Sequence, residues 1–140
     1  MLSLSQTAGY AIMALSHLDP EGDSLVQEKE IAAKTGISKP YLSKLIYKLG
    51  KAGLLLSKRG NKGGIALARP AASITMLDIA EAVDGEDWRK RCLLGLPICG
   101  NDNPCPLHEY WAKQRPKLEE KLASLTLTQV IKFQERGWRL

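Results

Sequence analysis

A chain of 140 residues, 44% of them hydrophobic and 25% charged, holds one compact domain, or a small domain with an interaction element. No run approaches the roughly 20 apolar residues of a membrane span, and the opening Met1-Leu2-Ser3-Leu4-Ser5-Gln6 lacks the basic segment of a secretory signal. A cytoplasmic location is expected, with no membrane partner. Thiols stay reduced there, so the three cysteines read as ligands or reactive groups rather than as a disulfide framework. The net charge of +5 is unevenly placed. Residues 1–70 carry ten bases against five acids, whereas 71–140 carry ten of each, and 39–62 hold seven bases and no acid. That block is either the electrostatic footprint of a polyanion or a solvated basic face.

In chain order, Leu4, Ala8, Ala11, Ile12, Leu15 and Leu18 have the spacing of an amphipathic helix over residues 3–18, with Ser3 or Ser5 to cap it. Asp19-Pro20-Glu21-Gly22-Asp23 is a turn. A short helix is predicted over 27–35, ended by Gly36. Ser38 then caps a second helix with Pro40 in its first turn, and Leu42, Leu45, Ile46 and Leu49 form one apolar stripe. Helix, glycine turn and helix make a helix-turn-helix, whose second helix would be the reading helix. Gly53 closes it. Residues 54–57 and 65–68 read as two strands joined by the basic turn Lys58-Arg59-Gly60-Asn61-Lys62-Gly63-Gly64, and Pro70 stops the second. A basic hairpin in that place is a wing. A helix follows over 74–83, capped by Thr75 and ended by Gly85. Residues 84–105 show no regular element beyond a turn near Trp88. A long helix is predicted from Pro106 to about Ser124, with a kink or break at Pro116. Its apolar residues need cover, and a second copy of the chain is the simplest cover. A short helix over 126–136 ends the predicted elements, and 137–140 stay unassigned.

All three cysteines and one of the two histidines fall within seventeen residues, Cys92 to His108. Gly95, Pro97, Gly100, Asn101, Asn103, Pro104 and Pro106 keep that stretch in a loop. Soft thiolates and an imidazole wrapped by a loop are the donor set of a metal site. His108 lies three residues after Cys105, one helical turn on, so both can face one point. Structural zinc on three cysteines and one histidine is also chemically sound. A thiol-only sensor and buried structural cysteines are the blander readings. Enzyme chemistry would need a base-activated nucleophile; His108 near Cys105 is the one candidate, no third orienting group is evident, and no catalytic residues are assigned. His17 reads as structural or surface, Tyr110 and Trp111 as interface core.

Several stretches carry a family resemblance. They are Ser5-Gln6-Thr7-Ala8-Gly9-Tyr10-Ala11, Ile37-Ser38-Lys39-Pro40-Tyr41-Leu42, Leu49-Gly50-Lys51-Ala52-Gly53-Leu54, Arg59-Gly60-Asn61-Lys62-Gly63-Gly64, Ile74-Thr75-Met76-Leu77-Asp78-Ile79 and Ala82-Val83-Asp84-Gly85. In that order, with the three-cysteine loop and the trailing helix, they resemble the Rrf2 superfamily of winged-helix regulators, which includes the iron–sulfur regulators of the IscR and NsrR type. The resemblance implies a homodimer that binds palindromic double-stranded DNA operators through two recognition helices and two wings. It implies an iron–sulfur cluster held by Cys92, Cys99 and Cys105, and a long helix that pairs the protomers. A histidine at the place of His108 completes a 2Fe–2S site in IscR-like members. In some NsrR-like members a carboxylate of the partner's first helix completes a 4Fe–4S site. Residues 3–18 contain no Asp or Glu, which favours His108 and 2Fe–2S; Asp102 and Glu109 remain local substitutes and 4Fe–4S remains open. One departure stands: six residues separate Cys92 from Cys99, where the family commonly has five.

The expected fold is mainly α with a small β-hairpin: a winged helix-turn-helix domain plus a long dimerisation helix. Its parts are a DNA-binding domain over 1–85, a cluster-binding loop over 86–105, and the dimerisation and C-terminal helices over 106–140. Candidate DNA contacts are Ser38, Tyr41, Ser43, Lys44 and Lys48 on the reading helix and Lys58, Arg59, Asn61 and Lys62 in the wing, with Lys39 and Lys51 at the rim. Arg59 is the best placed for minor-groove or guanine readout. The expected function is a transcription regulator, repressor or activator, gated by iron–sulfur status, nitric oxide, peroxide or redox potential, with a winged-helix regulator carrying structural zinc or bare thiols as the alternative.

Overall fold

The computed structural model describes residues 4–137, six α-helices and one hairpin among them. The first helix, α1, spans Gln6–Ser16, with Ser5 as N-cap accepting from the Ala8 N–H at 3.0 Å. It is shorter at both ends than the predicted 3–18. The alternative cap Ser3 and the stretch after Gly137 lie outside the described residues. Helix α2 is Glu28–Thr35 and α3 is Lys39–Lys51. Gly36 joins them at φ +75°, the left-handed turn that lets the chain leave a helix within one residue. Ser38 is the N-cap residue of α3, but its side chain makes no capping bond. Leu42, Leu45, Ile46 and Leu49 are all buried, as their spacing requires.

Strands β1 (Leu55–Lys58) and β2 (Gly64–Leu67) pair antiparallel, Leu55 opposite Leu67 and Lys58 opposite Gly64. Val26 adds an isolated bridge to Ile65, so the wing is stitched to the segment before α2. Helix α4 spans Met76–Asp84 with a reciprocal capping box between Thr75 and Asp78, which satisfies two otherwise orphaned donors. A short 3-10 stretch, Glu86–Lys90, leads into the cysteine loop.

Helix α5 runs over His108–Ser124 and α6 over Leu127–Glu135. Of the kink or break predicted at Pro116, the break does not occur, for the helix continues through it. Pro116 and Ala112 are both exposed, so the turn that loses a hydrogen bond to Pro116 lies at the surface rather than in the core. The predicted start at Pro106 moves to His108.

One core collects side chains from all these elements. Ala8, Ala11 and Leu15 of α1, Leu45 and Leu49 of α3, Ile79 and Ala80 of α4, Leu122 of α5, and Leu127 and Ile131 of α6 belong to it. The mainly α fold with a two-stranded wing is therefore present, and α6 is part of its core rather than an appendage.

Two glycines can be tested against each other. A Cβ at Gly64, φ +154°, would lie 2.6 Å from the Val26 carbonyl oxygen, where wing and α2 segment pair; at Gly9, inside α1, it would meet nothing within 4 Å. Gly64→Ala is expected to destabilise by about 1–3 kcal/mol, and Gly9→Ala to stabilise by roughly 0.5–1 kcal/mol. Urea unfolding of both variants measures the opposite signs.

Candidate functional site

Two groups of residues carry chemistry. The first is the basic face of α3 and the wing. Lys58, Arg59, Asn61 and Lys62 are all exposed at the hairpin tip. Gln27 donates to the Asn61 carbonyl at 3.2 Å and ties that tip to the start of α2. Between them runs an open groove of about 640 Å³, lined by Lys29 and Lys39 as well as Lys58 and Arg59. Lys39, placed at the rim by sequence, thus faces the wing across this groove.

On α3 the candidates separate. Ser38 and Lys44 are exposed and free of side-chain partners among the described residues. Tyr41 is half-buried: its hydroxyl pairs with the Thr7 hydroxyl at 2.8 Å and its ring stands edge-on to Tyr10. Ser43 donates to Glu28 at 3.0 Å. Lys48 donates to the Val83 carbonyl at 3.2 Å. Three of the five predicted helix contacts thus have partners within the chain. Sequence reading passed over Tyr47, 66% exposed with the Lys51 ammonium 5.3 Å over its ring. Its signal was an aromatic off the apolar stripe and among lysines.

The second group is the cysteine loop, which the backbone folds back on itself. The Cys92 N–H donates to the Leu96 carbonyl at 2.9 Å, and the Cys99 N–H to the Lys90 carbonyl at 2.7 Å. The start of the loop is tied to α5, since both the Trp111 indole and the Arg115 guanidinium donate to the Arg91 carbonyl. Arg115 also lies over the Trp111 ring. These bonds bring the four sequence-predicted donors together as two pairs. Cys92 Sγ lies 3.3 Å from Cys105 Sγ, and Cys99 Sγ lies 3.3 Å from His108 Nδ1. Cys92 is 5% exposed; the other three are partly exposed, while Asp102 and Glu109 are exposed.

His108 Nε2 lies 2.9 Å from Asn101 Oδ1. An amide oxygen only accepts, so Nε2 carries the proton and Nδ1 offers its lone pair toward Cys99. Asn101 reads from sequence as a turn residue only; nothing in spacing marks a residue that orients a ligand from behind. The thiols differ. The Leu94 N–H and then the Cys105 thiol hold Cys92 below the ordinary thiol range. The Cys92 sulfur, and then burial, push Cys105 above it. His17, by contrast, sits away from this loop, and burial with the nearby Lys34 charge lowers it.

Four soft donors in two close pairs could hold a two-iron cluster, in which each iron takes two protein ligands, or a single zinc ion. Cys92, Cys99, Cys105 and His108 are the residues that could hold such a group.

Comparisons with known proteins bear on the family and the fold. The family model Rrf2, described as an iron-dependent transcriptional regulator, matches residues 4–132. The IscR regulator of Xenorhabdus nematophila is 31% identical over 137 residues, 96% of this chain and 82% of that protein. The structure of CymR, the global cysteine regulator of B. subtilis, superposes with a TM-score of 0.77 at 28% identity, covering 95% of this chain and 98% of that one. The T. potens IscR structure gives 0.74 at 31% identity, over 99% and 93% of the two chains.

In metal-free protein the Cys92–Cys105 pair is expected to lose its first proton below the ordinary thiol pKa and its second above it. Thiolate absorbance followed against pH checks this. Cys92→Ser removes the early step, and a single unsplit titration would contradict the pairing.

Proposed function

The chain belongs to the Rrf2 family of winged-helix transcription regulators, and on that premise we propose that it is a dimeric DNA-binding regulator gated by a 2Fe–2S cluster. It is not an enzyme; the family and its relatives regulate transcription. The observation that carries the cluster reading is the arrangement of Cys92, Cys99, Cys105 and His108 as two donor pairs on a loop pinned to α5.

When bound, such a cluster supplies one-electron chemistry. The chain's own residues hold and expose it. Asn101 fixes the His108 tautomer, Cys92 anchors the buried side, and the exposed Leu94, Leu96 and Ile98 leave the other side open. Helix α5 buries only Leu122 of its seventeen residues, and Tyr110 near its start is 58% exposed. That face and the apolar loop suit a second copy of the chain. A symmetric dimer sets two α3 helices and two wings against successive half-sites, which makes a palindromic double-stranded operator the partner. Functionally, residues 1–85 then bind DNA, 86–105 sense, and within 106–140 α5 pairs the protomers while α6 packs into the core.

The 3.3 Å approach of Cys92 and Cys105 favours one rival, a thiol sensor that closes a disulfide under oxidant. Purification without oxygen, with iron and sulfide assays, separates the two. The cluster reading expects about two irons and two sulfides per chain and visible bands, with Cys92→Ser, Cys99→Ser and Cys105→Ser each bleached. Asn101→Ala should weaken metal retention by about 10–100-fold. A colourless chain that binds zinc, or one that gains only a Cys92–Cys105 disulfide, would overturn it.

A further inference from the structure

Lys48 reads from sequence as one more phosphate contact on the recognition helix, yet although the residue is exposed its ammonium is engaged within the chain. Its ammonium donates to the Val83 carbonyl at 3.2 Å in a part-buried contact. Val83 is the last residue but one of α4, so its carbonyl is among the four with no acceptor role inside the helix. A cation there also meets the negative end of the helix dipole. Asp84 in turn accepts from the Ser5 hydroxyl at 2.5 Å, which binds the start of α1 to the same spot. At Gly85, φ +71°, the chain leaves α4 and passes by the 3-10 stretch to Cys92. Lys44, one turn earlier on α3, is exposed like Lys48 but has no such partner among the described residues.

We propose that Lys48 is a positioning residue, which fastens the recognition helix to the carboxyl end of α4 and thereby sets the pose in which that helix meets DNA. Lys44 and the wing supply the phosphate contacts; Lys48 supplies the angle. On the cluster reading, Lys48 is also the link by which movement at the start of the cysteine loop reaches α3, but its positioning role stands without that reading.

The test compares wild type, Lys48→Met, Lys48→Arg and Lys44→Met on two 30-base-pair duplexes. One is enriched from a randomised library by the wild-type chain; the other has mixed sequence. Affinity is measured against salt for metal-loaded and metal-free protein, and the variants are compared in whichever form binds. Thermal melting confirms that each variant is folded, and Lys48→Ala, which also removes the donor, replaces Lys48→Met if it is not. Lys44→Met is expected to lower the slope of log affinity against log salt by about 0.9 on both duplexes. Lys48→Met is expected to leave that slope unchanged, to weaken the enriched duplex about tenfold and the mixed one little, and Lys48→Arg to restore affinity. A slope that falls with Lys48→Met makes Lys48 a phosphate contact and overturns the proposal. So does an unchanged affinity for the enriched duplex. If loaded and metal-free wild type bind alike, the cluster reading fails while these slopes still judge Lys48.

Discussion

The close packing of α4 against α1 and α3 is the constraint on which the rest depends. Ala8, Ala11 and Ala80 are fully buried, and small side chains at those positions let the helix backbones approach. Ile79 and Val83 of α4 reach the core that Leu45 and Leu49 of α3 also enter. Burying side chains of that size is worth about 1.5–3 kcal/mol each, so this seam is stiff. Its consequence is functional. The end of α4 cannot move far without moving either α1, through Ser5 and Asp84, or α3, through Lys48 and Val83.

The cysteine loop grows from that end. It has little packing of its own: Leu94, Leu96 and Ile98 are exposed, and its order comes from a few backbone bonds and from the hold of Trp111 and Arg115 on Arg91. A segment with few buried contacts is the low-stability part of a fold, and ligand-responsive elements are drawn from such parts. A weakly held loop on a stiff seam is a workable sensor, because a change in the loop has few contacts to break and the seam has few ways to absorb it.

Much of this was legible in the sequence. The apolar stripe at Leu42, Leu45, Ile46 and Leu49, the turn at Gly36 and the basic hairpin fix the winged helix, because periodicity and glycine chemistry are local signals. That Cys92, Cys99, Cys105 and His108 gather in one loop was legible too, since Cys and His within seventeen residues need no tertiary information to be noticed. What sequence did not carry was partnership across the fold. Tyr41 to Thr7, Ser43 to Glu28 and Lys48 to Val83 span 15 to 35 residues, and each draws a polar side chain of the recognition helix to a neighbour within the chain. The same holds for Asn101 behind His108 and for the Val26–Ile65 bridge under the wing. Pro116 failed as a break because its cost depends on whether the turn that loses a hydrogen bond lies at the surface, which only the fold decides.

The central claim is that the state of the cysteine loop is read at the DNA face. The most direct measurement is the distance between the two α3 helices of a dimer, taken by pulsed electron resonance on spin labels placed at Lys39, before and after the metal is removed. The distance, or its spread, is expected to change on removal, and to stop changing in the Cys92→Ser variant. An identical distribution in loaded and metal-free protein would contradict it.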